Sequence, residues 1–151
     1  MTENAMSREQ KINRLQQNLL AIRKIAGWTS EQLGEKIGVT KQTISNLENG
    51  KTSMNFTQYI AIRSILDYEI ETNSANEVLP KVVTVLLDSD EDVYEKYRET
   101  INIVAASAAG GVTGGLLLGV FSALLPILPL GAAAIAGSIA SATWLKNILK
   151  K

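Results

Sequence analysis

The sequence predicts an all-α protein: a bundle of four or five helices, followed by a long helix and a hydrophobic helical hairpin. Two observations support this prediction. Through most of residues 7–100, apolar side chains recur at steps of three and four, which is the spacing of one helix face. Residues 101–145 then contain no charged side chain, and prolines at 126 and 129 divide this run. We therefore expect three segments: residues 1–70, an acidic connector with short helices at 71–100, and a hydrophobic hairpin at 101–151.

The composition excludes several classes of function. The 151 residues include no cysteine and no histidine, which excludes disulfides and thiolate metal sites and removes the usual general base and zinc ligand. No set of side chains suggests a catalytic site, so we expect no enzymatic activity, no cofactor and no metal. The polar amino terminus does not resemble a secretory signal peptide, and we expect the amino-terminal half to lie in the cytoplasm.

Residues 7–26 are predicted to form a first helix, which Gly27 ends. Its apolar stripe consists of Ile12, Leu15, Leu19, Ile22 and Ala26. Five cations lie off this stripe: Arg8, Lys11, Arg14, Arg23 and Lys24. They form either a solvated helix face or a set of phosphate contacts, and the pattern favours neither.

Residues 29–51 are predicted to form two short helices joined by a tight turn. Thr29 and Gln32 have the spacing of a capping box. Gly38 lies where the first helix should stop, because glycine adopts left-handed dihedrals without steric cost. Thr40 can cap the second helix. The apolar residues expected to face inward are Leu33, Ile37, Ile44 and Leu47.

The outward face of the second helix is polar and hydrogen-bonding, as reading base edges in a major groove requires. With the run Ile-Ser-Asn-Leu-Glu-Asn-Gly-Lys at 44–51, these helices resemble the helix-turn-helix of the phage-repressor-like (Xre/Cro) family. The resemblance covers roughly residues 15–66 and implies a DNA-binding domain at 1–70. The residues then expected to contact DNA are Ser30, Thr40, Lys41, Gln42, Thr43, Ser45, Asn46 and Lys51.

Two positions depart from the family pattern. Ser30 stands where the family commonly has a glutamine that often touches phosphate, so this phosphate contact is the weakest of the expected set. Gly34 stands where a small alanine is usual. Glycine still permits close helix contact but lowers helix propensity by about 1 kcal/mol. By resemblance, Glu48, Asn49 and Gly50 end the recognition helix and form the next turn, with Gly50 at positive φ.

A fourth helix should begin after Asn55, which forms a cap with Gln58. Its apolar face consists of Tyr59, Ile62, Ile65 and Leu66. The connector contains apolar residues with helical spacing at 78–86, although the β-branched run 81–87 is equally compatible with a strand. The serine and acids at 89–92 favour the start of a long helix, because negative charge stabilises a helix amino terminus.

The uncharged end has the properties of a membrane hairpin. As helices, residues 101–125 and 128–145 would be about 37 and 27 Å long, against a bilayer core of about 30 Å. Small residues spaced by four would let the two helices approach closely. The glycines in this pattern are Gly110, Gly111, Gly114, Gly115, Gly119 and Gly137. Trp144 and the terminal lysines resemble interfacial anchors. The hairpin could span the membrane, enter one leaflet, or be buried in a soluble oligomer.

Two other motifs do not carry a site. The glycine-rich run 110–115 lacks the lysine and hydroxyl residue of a phosphate-binding loop. The acids at 88–92 lack the glycine and terminal glutamate of a calcium loop, so a helix cap explains them better.

Two functions of different classes fit these segments. The first is a transcriptional regulator, a repressor, that binds double-stranded DNA as a homodimer or higher homo-oligomer and is tethered to the cytoplasmic membrane. The alternative is a membrane-active or scaffolding oligomer whose helical head, residues 1–70, contacts other proteins. Specific DNA binding discriminates the two. Residues 1–70 carry nine lysines and arginines against seven acids, which is a weak electrostatic footprint for DNA.

Overall fold

The structure of the protein, a computed structural model, describes residues 6–107. This part of the chain contains seven α-helices and one π-helical turn, and no strand. The helices are α1 (Arg8–Gln17), α2 (Leu19–Ala26), α3 (Ser30–Ile37), α4 (Lys41–Glu48), α5 (Phe56–Thr72), α6 (Val78–Val83) and α7 (Glu91–Ser107), with the π-helical turn at Thr84–Asp88. The all-α prediction is confirmed. The run 81–87 is helical, so its interpretation as a strand is wrong.

The predicted first helix is two helices, because Asn18 interrupts it. This residue has φ −111° and ψ 10°. Its side-chain Nδ2 donates a hydrogen bond to the carbonyl oxygen of Arg14 at 2.8 Å and another to the hydroxyl of Tyr94 at 3.0 Å. Asn18 is buried, so the bond to Tyr94 of α7 holds the interruption inside the core. The prediction of one helix over 7–26 is therefore wrong at this residue, while Gly27 ends α2 as predicted.

One apolar core joins the elements of the described region. Helix α2 contacts α1 and α4, and it also contacts α6 and α7. Its Ile22 and Ile25 are fully buried, as are Val85 and Leu86 of the π-helical turn. The apolar residues of the connector therefore pack onto the bundle, as their helical spacing predicted. Helix α2 therefore contacts both α4 of the helix-turn-helix and the helices of the connector.

Two buried arginines fasten the connector to the bundle. Arg14 donates a hydrogen bond to the carbonyl oxygen of Ser89 at 2.8 Å and pairs with Glu91 at 3.2 Å. Arg63 of α5 makes two hydrogen bonds to the carboxylate of Asp88, at 3.0 and 3.2 Å. Burial opposes the charge on Arg63, but the attraction and hydrogen bonds of Asp88, with smaller contributions from Tyr59 and Asp67, together raise the pKa of this arginine.

The acids of the connector act as ion-pair partners and as a cap. The Oδ1 of Asp90 accepts a hydrogen bond from the backbone N–H of Val93 at 3.0 Å, which caps α7. Among residues 6–107, no cluster of acidic side chains is arranged to hold a metal ion. The interpretation of this acidic run as a helix start is confirmed.

Residues 101–107 of the predicted hairpin form the end of α7, where Ile101 and Ala105 are buried in the core. The rest of the hairpin, with its six packing glycines and the terminal lysines, lies outside the described residues. Within residues 6–107, no helix has both the length and the apolar character needed to cross a membrane.

Candidate DNA-binding surface

A capping box begins α3, and a glycine ends it before the turn to α4. The Thr29 hydroxyl accepts a hydrogen bond from the N–H of Gln32 at 3.0 Å, and the Gln32 side chain accepts one from the N–H of Thr29 at 2.9 Å. Gly38 ends α3 with φ 78°. Both features were predicted from the sequence. Only three residues, Gly38 to Thr40, separate α3 from α4.

Gly34 lets the two helices approach closely. A Cβ at this position would lie 2.7 Å from the carbonyl oxygen of Val39 and 3.2 Å from the carbonyl carbon of Thr40. These are backbone atoms, so they cannot swing away as the end of a side chain could. The glycine at this position therefore fits a close backbone approach that the Cβ of an alanine would obstruct.

Recognition helix α4 is anchored by its inner face and its cap. Ile44 and Leu47 are buried in the core, as predicted. The Thr40 hydroxyl accepts a hydrogen bond from the N–H of Thr43 at 3.1 Å, and the two hydroxyl oxygens lie 3.0 Å apart. One lone pair of Thr40 is thus occupied by capping, and a phosphate contact would have to use its remaining hydrogen-bonding capacity.

The outer face of α4 presents amides and an ammonium group. Lys41 and Gln42 are exposed, while Ser45 and Asn46 are half-buried. The Gln42 side chain donates a hydrogen bond from Nε2 to the Oδ1 of Asn46 at 3.0 Å. This contact leaves the Gln42 carbonyl oxygen and its second N–H available. These are the acceptor and donor that a bidentate contact with adenine requires.

The other predicted contacts flank this face. Ser30 is the first residue of α3 and is half-buried. Thr43 is half-buried and lies beside the cap. Lys51 is exposed in the turn after α4, and its backbone N–H donates to the carbonyl oxygen of Asn46 at 2.9 Å. These placements agree with phosphate contacts around the helix, which remain a prediction.

The carboxyl end of α4 is held by residues that the sequence did not identify. Glu48 receives hydrogen bonds from the guanidinium of Arg23 in α2, one of them at 3.2 Å, and both side chains are buried. Arg23 also donates to the carbonyl oxygen of Trp28 at 2.9 Å. Gln16 of α1 binds the backbone of the following turn. Gly50 there has φ 74°, as predicted. No local signal could reveal Glu48 as the partner of Arg23, or the turn as the partner of Gln16, because these partners lie 25 or more residues away in the sequence.

Three of the nine cations in residues 1–70 point inward. Arg14, Arg23 and Arg63 are buried and paired. For Arg14 and Arg23, both sequence interpretations are therefore wrong, since these arginines lie neither on a solvated face nor where phosphate could reach them. The cations at the surface of this segment are Arg8, Lys11, Lys24, Lys36, Lys41 and Lys51. The positive charge available to DNA is consequently smaller than the sequence count suggests.

The sequence profile of the helix-turn-helix family matches residues 19–73, which contain α2 to α5. Over a stretch of 60 residues, the chain is 32% identical to Antitoxin HipB of Escherichia coli strain K12. This stretch makes up 40% of this chain and 68% of the relative. The chain belongs to the helix-turn-helix family. Antitoxin HipB of Escherichia coli O6:H1 is also 32% identical over 60 residues, and there the match spans 64% of the relative's length. No solved structure matches the chain significantly.

The family match confirms the Xre/Cro-like resemblance for the helix-turn-helix. Helix α1, α6, the π-helical turn and α7 lie outside the matched residues. The matched helices, α2 to α5, therefore lie between two segments that are outside the family match.

Proposed function

We propose that this helix-turn-helix protein is a transcriptional regulator that binds double-stranded DNA, acting as a repressor by occupying an operator. The observation that carries the proposal is the outer face of α4. Four polar side chains lie on a helix whose inner face is locked in the core and whose ends are both fixed. A rigid polar helix of this size fits a major groove.

In the proposed complex, Gln42 and Asn46 bond adenine and Lys41 bonds guanine. Thr40, Lys51 and, more weakly, Ser30 contact phosphate, while Thr43 and Ser45 lie beside the bases. A homodimer would place two copies of α4 in half-sites about 34 Å apart, one turn of the duplex. The protein would then repress by excluding other proteins from that site.

The test is selection of binding sites from random duplex DNA by the full-length protein. We expect enrichment of a sequence with two related half-sites. Gln42→Ala should then cost about 1–3 kcal/mol at one operator position and little on unrelated DNA. The matched control is Gln17→Ala, which removes an exposed glutamine of α1. An equal loss on operator and unrelated DNA would contradict a base contact, and no enriched sequence would contradict the function.

We also propose that residues 101–151 tether the protein to the cytoplasmic membrane as a hairpin, with the head and the carboxyl terminus both in the cytoplasm. The support is the absence of charge from 101 to 145 and the three lysines that follow. Two crossings, or entry into one leaflet, return these lysines to the cytoplasm, whereas a single crossing would leave them outside.

Membrane fractionation tests the tether. The protein should stay with membranes washed in carbonate, which strips peripheral contacts. A reporter that is active only outside the membrane should be silent when fused after Lys151, and activity there would rule out the hairpin. The same reporter inserted between Pro126 and Pro129 separates a full crossing, where it is active, from a shallow one.

The uncharged segment also supports the second candidate, a membrane-active or scaffolding oligomer whose head contacts proteins. The site selection separates it from the regulator, since a scaffold would enrich no DNA sequence. The relatives are named antitoxins, but a match over 40% of this chain does not by itself extend that role to it.

A further inference from the structure

Helix α1 precedes the family match, yet one of its side chains holds the turn that follows the recognition helix. The Nε2 of Gln16 donates hydrogen bonds to the carbonyl oxygens of Leu47 at 3.0 Å and Thr52 at 2.7 Å. Its Oε1 accepts a hydrogen bond from the backbone N–H of Met54 at 2.8 Å. A single half-buried amide therefore binds both ends of the turn.

The exposed part of the turn, residues 49–53, is held through hydrogen bonds to its backbone. Lys51, Thr52 and Ser53 are exposed, and Gly50 adopts a left-handed conformation in which a Cβ would find nothing within 4 Å. Within the turn, the N–H of Lys51 donates to the carbonyl oxygen of Asn46. That bond ties Lys51 to α4. On the far side of the turn, the Met54 side chain is buried in the core, and Gln16 binds the backbone at Thr52 and Met54.

We propose that Gln16 is a positioning residue for DNA contact. It holds the turn so that the ammonium group of Lys51 meets a backbone phosphate beside the bases that α4 reads. This inference rests on the proposed function. It assigns part of the DNA-binding geometry to α1, which lies before residue 19, where the family match begins.

The experiment compares Gln16→Met, Lys51→Ala and the double variant with the wild-type protein, all full-length. Methionine keeps the length and flexibility of the side chain but neither donates nor accepts these hydrogen bonds. The matched control is Gln17→Met, the same change at the adjacent exposed residue. Affinity for a mixed-sequence DNA duplex is measured across salt concentrations, at a temperature where melting curves show every variant folded.

We expect Gln16→Met and Lys51→Ala each to reduce the slope of log affinity against log salt by about 0.9 for each bound head, the value of one phosphate contact. The double variant should lose no more than Lys51→Ala alone, and Gln17→Met should match the wild type. Amide exchange at Met54 should also become faster in Gln16→Met. A merely structural role would lower stability without changing the salt slope.

Three results would overturn the inference. If Gln16→Met keeps the full slope while Lys51→Ala loses it, Gln16 does not position the lysine, and the proposed function stands. If Lys51→Ala keeps the slope, the lysine contacts no phosphate. If the wild type shows no salt-dependent binding to any duplex, the proposed function fails and takes this inference with it.

Discussion

The ion pair inside the helix-turn-helix segment differs from the two that attach the flanking helices. All three arginine side chains are buried, but their partners differ: the side chain of Glu48 is 8% exposed, that of Asp88 is 42% exposed and that of Glu91 is 70% exposed. The pair Arg23–Glu48 is thus shielded from water, whereas the acids that bind Arg63 and Arg14 can exchange their partner for water. The acid that holds the recognition helix is therefore costly to leave without its arginine, whereas the acids that hold the flanking helices are not.

Breaking the internal pair should have the largest effect. Arg23→Met leaves the Glu48 carboxylate buried without its partner, which we expect to cost about 3–5 kcal/mol. The measurement is the free energy of unfolding in urea. The double variant Arg23→Met with Glu48→Met is the control, since it removes both charges and should recover much of the loss. A single variant as stable as wild type would show that the pair is open to solvent.

The turn after the recognition helix should come next. Gly50→Val forces a β-branched residue to φ 74°, which we expect to cost about 2 kcal/mol. Nothing lies within 4 Å of the position of its Cβ, so the loss comes from the backbone alone. Gly50→Asn should lose less, because asparagine tolerates left-handed dihedrals. An unchanged melting temperature in Gly50→Val would mean that the turn is misassigned.

The close approach at Gly34 sharpens the comparison within the same segment. Alanine would gain about 1 kcal/mol of helix propensity, but its Cβ would meet the Val39 carbonyl oxygen at 2.7 Å. We expect the clash to win, with a net loss of about 1 kcal/mol. The difference in stability between Glu35→Gly and Glu35→Ala, at the exposed neighbour, measures the glycine-to-alanine propensity effect alone. Thermal stabilisation by Gly34→Ala would indicate that the turn relaxes without cost.

The smallest effect is expected in the flanking pair. Glu91→Gln removes a charge that is mostly in water, while Arg14 keeps its hydrogen bond to the Ser89 carbonyl oxygen. The change in unfolding free energy should stay within about 0.5 kcal/mol. Urea unfolding at low and high salt checks this, since screening should remove even that difference. A loss as large as that of Arg23→Met would erase the distinction between the two regions.

The helix-turn-helix was readable from the sequence because its signals are local. The capping side chains of Thr29 and Asn55 bond the backbone N–H three residues further on. Gly38 and Gly50 adopt positive φ because glycine itself permits it. When a side chain and its partner are three residues apart, the spacing of the two residue types in the sequence is enough to predict the contact. The inward and outward faces of α4 followed from the same helical period.

The wrong predictions for Arg14, Arg23 and the first helix involve distant partners. Arg14 binds Glu91, which is 77 residues away, and Arg23 binds Glu48, which is 25 residues away. The break at Asn18 depends on Tyr94, 76 residues away. On a helical wheel these side chains appear to face solvent, because the helix that covers them is not yet known. The resemblance located the candidate DNA contacts, but which cations remained available to DNA required the fold.

The burial of three arginines affects how this protein would find its binding site on DNA. Long-range attraction to DNA accelerates association and prolongs sliding on unrelated sequence, and it grows with exposed positive charge. A head that keeps Arg14, Arg23 and Arg63 for its own interior has less of this attraction. Its association rate should therefore respond weakly to ionic strength, and its time on unrelated DNA should be short. Discrimination between sites would then depend on the four side chains of α4 more than on the charge around them.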